Sequence, residues 1–401
     1  MKNLILALSL FIITTTTTAA EINFLENPVW KTVLEKAKKE KKIIFFDAYA
    51  TWCGPCKQMD AETYKDQAVA DFYNTNFINV KYDMEKGEGI MLAQQFGVTA
   101  YPSLLFINGE GEMLHKGLGF QVANQFLDLA KTSLNPETQY YSLKNKAMEL
   151  SNAQFTKLVG MAIANKDEDI YDISRDYLAK QSDVLGSPEL IDLVMTFVNA
   201  VPSEQTLAYI VANKSKLEAS GKYSPAEVEQ RIISLTLGYG LYQSGVKGEE
   251  EIDFNGIKTL LDKYVPSSSF FVYHYFRTQY LLQDKNTDEA IKEFNILLDN
   301  TPAKIEFEQL CNAMMSFGPT LEQEGKLTET LVKFDAVQIP AREAKLSYMK
   351  DFVKGIIYIK MKQYDKFTTI ATALIANPNT PENVKTDLGI ALQQVKSQGG
   401  N

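Results

Sequence analysis

Residues 43–57 constrain this chain more than any others. Ile43 to Ala50 (IIFFDAYA) is a short apolar run of strand-forming residues, the pattern of a strand covered on both faces. Trp52-Cys53-Gly54-Pro55-Cys56-Lys57 follows almost at once. Pro55 is tolerated in the first turn of a helix, where its missing N–H would have no partner. The segment reads as a buried strand running into a helix that starts with two cysteines one turn apart. Any fold for this chain must accommodate that joint.

On either side of it, strand and helix patterns alternate. Pro28 to Lys42 places Val29, Val33, Leu34 and Ala37 on one helical face, with Lys and Glu opposite. The helix at the Cys pair should run toward Ala61, and a second helical piece should cover Asp66 to Tyr73. Phe77 to Met84 reads as a strand, Gly89 to Phe96 as a short helix and Ser103 to Ile107 as a strand. Asn108-Gly109 signals a hairpin turn, and Met113 to Gly117 is the returning strand. Gln121 to Leu134 closes the unit as an amphipathic helix, before Asn135-Pro136 breaks the chain. Alternation of this kind predicts an α/β unit over residues 24–135.

Past residue 138 the strand signals stop. Segments such as SPELIDLVMTFVNAV, SPAEVEQRIISLTLGYGLY, NTDEAIKEFNILLDNTP and TPENVKTDLGIALQQVKSQ are amphipathic helices. Each opens with Ser, Thr or Asn beside a Pro or an acidic residue, the chemistry of a helix cap. The expected organisation is a signal peptide (1–20), an α/β domain (21–137) and an all-α, helical-repeat-like domain (138–401). Ala290, Phe294 and Pro302 have the A-x-x-x-F…P spacing of a tetratricopeptide-type helix. Aligned on Pro378, a weaker copy puts Lys366 at the Ala position and Ile370 at the Phe position. The aromatics from Phe270 to Tyr280 read as core, and an array of this kind offers a surface for a protein partner.

Residues 1–20 (MKNLILALSLFIITTTTTAA) carry Lys2, then the mostly apolar run Leu4 to Ile13, then small residues ending in Ala19-Ala20. This is the layout of a cleaved secretory signal, and the run is too short to span a bilayer, which takes about 20 apolar residues. Export, to a periplasm or outside the cell, is the expectation. The chain has 50 acidic and 41 basic residues, a formal net charge of −9. It would gain little from counterion release, so nucleic acid is not an expected partner.

The chemistry then falls to the Cys pair. The chain has three Cys and two His, too few for a disulfide scaffold or a His-rich metal site. Zinc needs about four ligands, and Cys311, His115 and His274 are isolated in sequence. Cys53, at a helix N-terminus, has its thiolate favoured by the backbone N–H groups and the helix dipole, which makes it the attacking nucleophile. Cys56 would resolve the mixed disulfide. Asp47 is a lone carboxylate in an otherwise apolar strand, so its pKa should be raised. A buried acid there can accept the resolving thiol's proton. Cys311, among Phe307, Met314 and Met315, reads as a buried inert thiol, and His115 as a surface residue. No paired acid dyad, P-loop or G-x-S-x-G stands out.

The segment FFDAYATWCGPCK resembles thioredoxin, with Trp52, Cys53, Gly54, Pro55, Cys56 and Lys57 all as in that family. Asp47 falls at the family's buried acid. Lys81 falls where a family lysine faces that acid, although the residue itself reads equally as a surface lysine. Tyr101-Pro102 falls at the family's cis-proline. Gly117 resembles the glycine lining the peptide groove, with Gly119 close enough to compete for that position. The resemblance covers residues 24–135. It implies a thioredoxin-like fold, a redox-active Cys53–Cys56 disulfide with no further cofactor, and catalytic roles for Cys53, Cys56, Asp47 and Lys81. It also implies substrate contacts by Trp52, Gly54, Pro55, Tyr101, Pro102 and Gly117. Gly-Pro between the cysteines is the pair of reducing thioredoxins, whose potential is about −270 mV. The implied activity is reduction of protein disulfides, with re-reduction by a membrane-embedded electron donor. An isomerase or oxidase, or a scaffold whose helical domain does the work, are the alternatives.

Overall fold

The computed structural model describes residues 21–246 and 252–397. The expected signal peptide lies outside these described residues. A break in packing between Val198 and Asn199 divides the chain into two compact units. The boundary at 137/138 marks a change of secondary structure within the first of them.

The first unit is built on a five-stranded sheet. Its strands are β1 (Leu25–Glu26), β2 (Ile43–Tyr49), β3 (Phe77–Asp83), β4 (Ser103–Ile107) and β5 (Met113–Leu118), in the order β1-β3-β2-β4-β5. β3 runs parallel to β1 and β2, whereas β4 is antiparallel to β2 and β5 to β4. Five helices flank it: α1 (Trp30–Glu40), α2 (Gly54–Ala61), α3 (Gln67–Asn76), α4 (Glu88–Gln95) and α5 (Ala123–Leu134). This is the thioredoxin-like α/β arrangement expected from the sequence.

The period-two alternation of β2 divides two cores. Ile44, Phe46 and Ala48 pack with Trp30, Val33, Tyr82 and Leu92. Phe45 packs on the opposite face with Met59, Tyr64, Tyr73, Phe106 and Phe126. Asp47 shares the Phe45 face, because side chains two apart on a strand point the same way. The register aligns Glu26, Lys81, Asp47, Leu104 and Gly117 across all five strands.

Several expectations need correction. Val29 is not on the buried face of α1; it stands before the first turn and is exposed, and Trp30 takes the buried place. The hairpin that Asn108-Gly109 signals does form, β4 pairing antiparallel with β5, but its turn is longer than those two residues. Asn108 and Glu112 close a longer loop, Asn108 N–H donating to the Glu112 carbonyl at 2.9 Å, and positive φ falls on Gly111. Gly109 instead lets α1 approach, since a Cβ there would lie 2.8 Å from Lys38 Cγ. Strand β1, only two residues long, carries no sequence signal.

The first unit continues through α6 (Tyr140–Asn145), α7 (Asn152–Ala164), α8 (Asp169–Ala179) and α9 (Pro188–Thr196). Helix α6 covers the edge strand β5. His115 is therefore buried, 3% exposed, rather than on the surface. Its Nδ1 accepts the Tyr140 N–H at 3.0 Å. Tyr140 in turn donates its hydroxyl proton to Asp167, which also binds Lys144.

The second unit is helical throughout its described residues: α10 (Glu204–Ala212), α11 (Lys214–Ala219), α12 (Pro225–Val246), α13 (Phe254–Tyr264), α14 (Ser269–Gln283), α15 (Thr287–Asp299), α16 (Phe307–Gln323), α17 (Leu327–Ala336), α18 (Met349–Lys360), α19 (Tyr364–Ala376) and α20 (Glu382–Ser397). None of the described helices is long and apolar enough to cross a membrane. Of the four expected caps, Ser187 and Ser224 bond the N–H groups of Leu190 and Glu227. Asn286 makes no such side-chain bond, and the Thr380 hydroxyl is buried without a partner.

The pairs α14–α15, α16–α17 and α18–α19 turn in the same way. Each turn holds one residue at positive φ: Lys285 (59°), Gly325 (69°) and Lys362 (58°). The next residue's N–H returns to a carbonyl five residues back, Asn286 to Leu281, Lys326 to Leu321 and Gln363 to Tyr358, as in a Schellman motif. Successive turns are thus 40 and 37 residues apart. Counted from these turns, Ala290, Thr330 and Phe367 are equivalent and buried, as are Phe294, Phe334 and Ala371. The Pro-anchored alignment was one residue out: Lys366 is exposed, and Phe367 and Ala371 exchange the small and large positions of Ala290 and Phe294. Of the Phe270–Tyr280 aromatics only Tyr273 is buried; the others are half-buried, Phe270, Phe271 and Tyr275 packing against a cluster that includes Phe294 and Phe317.

Candidate active site

Strand β2 ends at Tyr49, and the Cys53 N–H donates to the Ala50 carbonyl at 3.0 Å. Cys53 is the N-cap of α2, and its Sγ accepts the Cys56 N–H at 3.1 Å. A disulfide joins Cys53 and Cys56 across a Cα–Cα distance of 5.4 Å. Pro55 lies in the first turn of α2, and Gly54 has no atom within 4 Å of where a Cβ would lie.

Both cysteines are covered, at 2% and 3% exposure. Tyr49, Ala50 and Tyr101 pack around them. Trp52 stands out at 67% exposure. Its ring meets Tyr101 edge-on at 5.8 Å, and its Nε1 donates to Glu85 at 2.8 Å. The Tyr101–Pro102 peptide is cis. Gly119, rather than Gly117, adjoins it: the Gly119 N–H donates to the Pro102 carbonyl at 2.9 Å. Gly117 serves packing, because a Cβ there would come within 2.7 Å of Leu129 in α5.

Asp47 is 1% exposed. Burial pushes its carboxyl up to about 6, against the opposing pull of Lys81. Lys81 is buried too, not a surface lysine. Its Nζ stands 3.4 Å from Asp47 Oδ2 and donates a hydrogen bond to Asp60. The ammonium also faces the rings of Phe24, Tyr49 and Tyr64. Burial alone would lower its pKa, but Asp47, Asp60 and Glu26 together hold it above the ordinary lysine range. A polar cavity of about 500 Å³ opens here, with Glu26, Asp60, Tyr64 and Lys81 in its wall.

Glu26, Asp60, Tyr64 and Glu85 escaped the sequence reading. Asp60 carried a signal: it lies four residues after Cys56, on the same face of α2. Glu26 and Glu85 carried none, since strand pairing and a bond across the site bring them in. Among the described residues no group of three or more His, Cys, Asp or Glu is placed to hold a metal ion. Cys311 is buried in the second unit, its thiol pushed up to about 12 by burial.

A family model described as Thioredox_DsbH, a protein of unknown function (DUF255), matches residues 14–100. The chain is 37% identical to Thioredoxin H4 of Arabidopsis thaliana over 93 residues, which is 23% of this chain and 73% of that protein. The chain belongs to the thioredoxin family. It is also 30% identical over 96 residues to the thiol:disulfide interchange protein DsbD of Pasteurella multocida, spanning only 16% of that relative's length. A solved Bacteroides thetaiotaomicron protein, described as a candidate disulphide-isomerase, is 43% identical, covers 29% of this chain and 96% of its own, and has a TM-score of 0.28. Thioredoxin-family membership and the Cys53–Cys56 pair make this a thiol–disulfide oxidoreductase site, with the disulfide itself as the redox group.

Proposed function

We propose that the protein is an exported, periplasmic reductase of protein disulfides. Its thioredoxin domain, residues 21–137, does the chemistry, and the helical-repeat-like domain, residues 138–401, binds a protein partner. The observation that carries this reading is Cys53 at the N-cap of α2, its Sγ facing the Cys56 N–H at 3.1 Å. Donors at a helix start favour a thiolate, and Gly-Pro between the cysteines adds no positive charge that would make the site a strong oxidant.

In this reading the Cys53 thiolate attacks a substrate disulfide, forming a mixed disulfide and releasing one substrate thiolate. Asp47 takes the Cys56 proton, and Cys56 displaces the second substrate sulfur. Lys81 tunes Asp47. Trp52, Gly54, Pro55, Tyr101, Pro102 and a glycine of the Gly117–Gly119 segment receive an extended peptide, and a membrane-embedded donor restores the dithiol.

Two measurements test it. Equilibration with glutathione should give a potential near about −270 mV, and a value above about −150 mV would overturn the reductase direction in favour of an oxidase. Cys56→Ala, produced in the exporting cell, should hold substrates as stable Cys53 adducts. Adducts lost on removing residues 199–401, the second compact unit, would support a part of the helical domain in partner choice, and a full chain that forms no adducts would count against reductase and partner binding alike.

A further inference from the structure

The sharing of Lys81 has a consequence for the resolving step, and it rests on the reading of Asp47 as the proton acceptor. Four titratable or charged groups surround or influence Asp47: Lys81 on β3, Asp60 on α2, Tyr64 just after α2 and, through Lys81, Glu26 on β1. Lys81 is the single cation among them, and it gives its hydrogen bond to Asp60. It remains 3.4 Å from Asp47 Oδ2, beyond the 2.7–2.9 Å of a charge-assisted hydrogen bond. Asp47 Oδ1 has no hydrogen-bond partner, and the Tyr64 hydroxyl beside the carboxyl offsets its burial only in part. Asp60 is 46% exposed and lines the polar cavity, whereas Asp47 is buried.

We propose that Asp60 is a positioning residue: by taking the hydrogen bond of Lys81 it holds that cation off Asp47 and so keeps Asp47 able to accept a proton from Cys56. Were the ammonium bonded wholly to Asp47, the carboxylate would be held ionised and would be a poor base. With the cation shared, burial prevails and the Asp47 carboxyl is pushed up to about 6, close to the working range of a general base. The step it serves is balanced within the protein and its substrate. The Cys56 proton passes to Asp47. The Cys56–Cys53 sulfur bond forms as the Cys53–substrate sulfur bond breaks, and the electron pair leaves on the substrate thiolate. Two electrons pass from the cysteine pair to the substrate.

The test is Asp60→Asn in the full chain, with Asp60→Glu as the conservative variant. The Asp47 titration is read directly as the protonated-carboxyl infrared band that Asp47→Asn abolishes. In parallel, resolution of a mixed disulfide with a model peptide is timed from pH 4 to 8. In Asp60→Asn the midpoint of the band should fall by about one pH unit or more, and the acid limb of the resolution rate should move with it. Asp60→Glu should restore both. A folded Asp60→Asn protein whose Asp47 midpoint stays in place, or rises, would overturn the proposal. An Asp47 midpoint that shifts as expected, in a protein whose wild-type resolution has no acid limb, would support the hold of Asp60 on Asp47. It would instead refute Asp47 as the acceptor.

Discussion

Acid should pull the first unit in two directions at once. His115 is buried, and burial lowers its pKa from 6.5 to about 4. Its Nδ1 can accept the Tyr140 N–H only while unprotonated. The unfolded chain therefore binds a proton that the folded chain refuses. Stability from this residue is complete above pH 6.5 and is lost as pH falls through 4. At about 1.4 kcal/mol per pH unit the loss is about 3 kcal/mol. Asp47 has the opposite sign. Its carboxyl is raised from 3.8 to about 6, so its stability is complete below pH 3.8 and is lost as pH rises through 6. That loss is also about 3 kcal/mol. Between pH 6.5 and 4 the two contributions nearly cancel.

The perturbations are His115→Gln, which keeps an acceptor but does not titrate, and Asp47→Asn. Unfolding by urea is followed by tryptophan fluorescence with the disulfide intact. Both tryptophans, Trp30 and Trp52, belong to the α/β part, so the signal reports on that unit. Relative to wild type, His115→Gln should gain about 3 kcal/mol between pH 6.5 and 4, and Asp47→Asn should lose about as much. Comparing differences across pH removes any constant cost of each substitution. Curves that run parallel to wild type within about 0.5 kcal/mol would refute the assignment of these two groups as the opposing pair.

In the second unit, Phe367→Ala should cost about 3–5 kcal/mol, whereas Lys366→Ala should stay within about 0.5 kcal/mol; thermal unfolding followed by circular dichroism separates the turn-anchored register from the Pro-anchored one. Glu85→Gln should weaken the tether on Trp52, with lower fluorescence anisotropy in a Trp30→Phe background, and an unchanged anisotropy would mean that the Tyr101 contact alone holds the ring.

The sequence was most legible where structure is local. The apolar run Ile43–Ala50, the proline in the first turn and the two cysteines lie within fifteen consecutive residues, so strand β2, the start of α2 and the disulfide follow from neighbours along the chain. The β4–β5 hairpin was legible too, but the form of its turn was not. Asn108-Gly109 has the composition of a tight turn, but Gly109 is required by the approach of α1, which a local pattern does not contain. The helical pairs show the same limit. Their amphipathic spacing was visible, yet the register depended on where each turn falls, and the turn uses lysine at positive φ twice, a residue that gives no such signal.

The sequence by itself determined the fold class, the change from α/β to helix near residue 138, and the redox pair, because periodicity and motif spacing are properties of adjacent residues. Only the tertiary structure decided what surrounds them. Periodicity records which side of an element is apolar, not which element covers it, so His115 became a buried acceptor only when α6 closed over β5. Strand pairing brought Glu26, Lys81 and Asp47 into one row, and α2 added Asp60 from its own face. The division of one lysine among three carboxylates is a matter of distance, and distances between residues far apart in sequence exist only once the chain has folded.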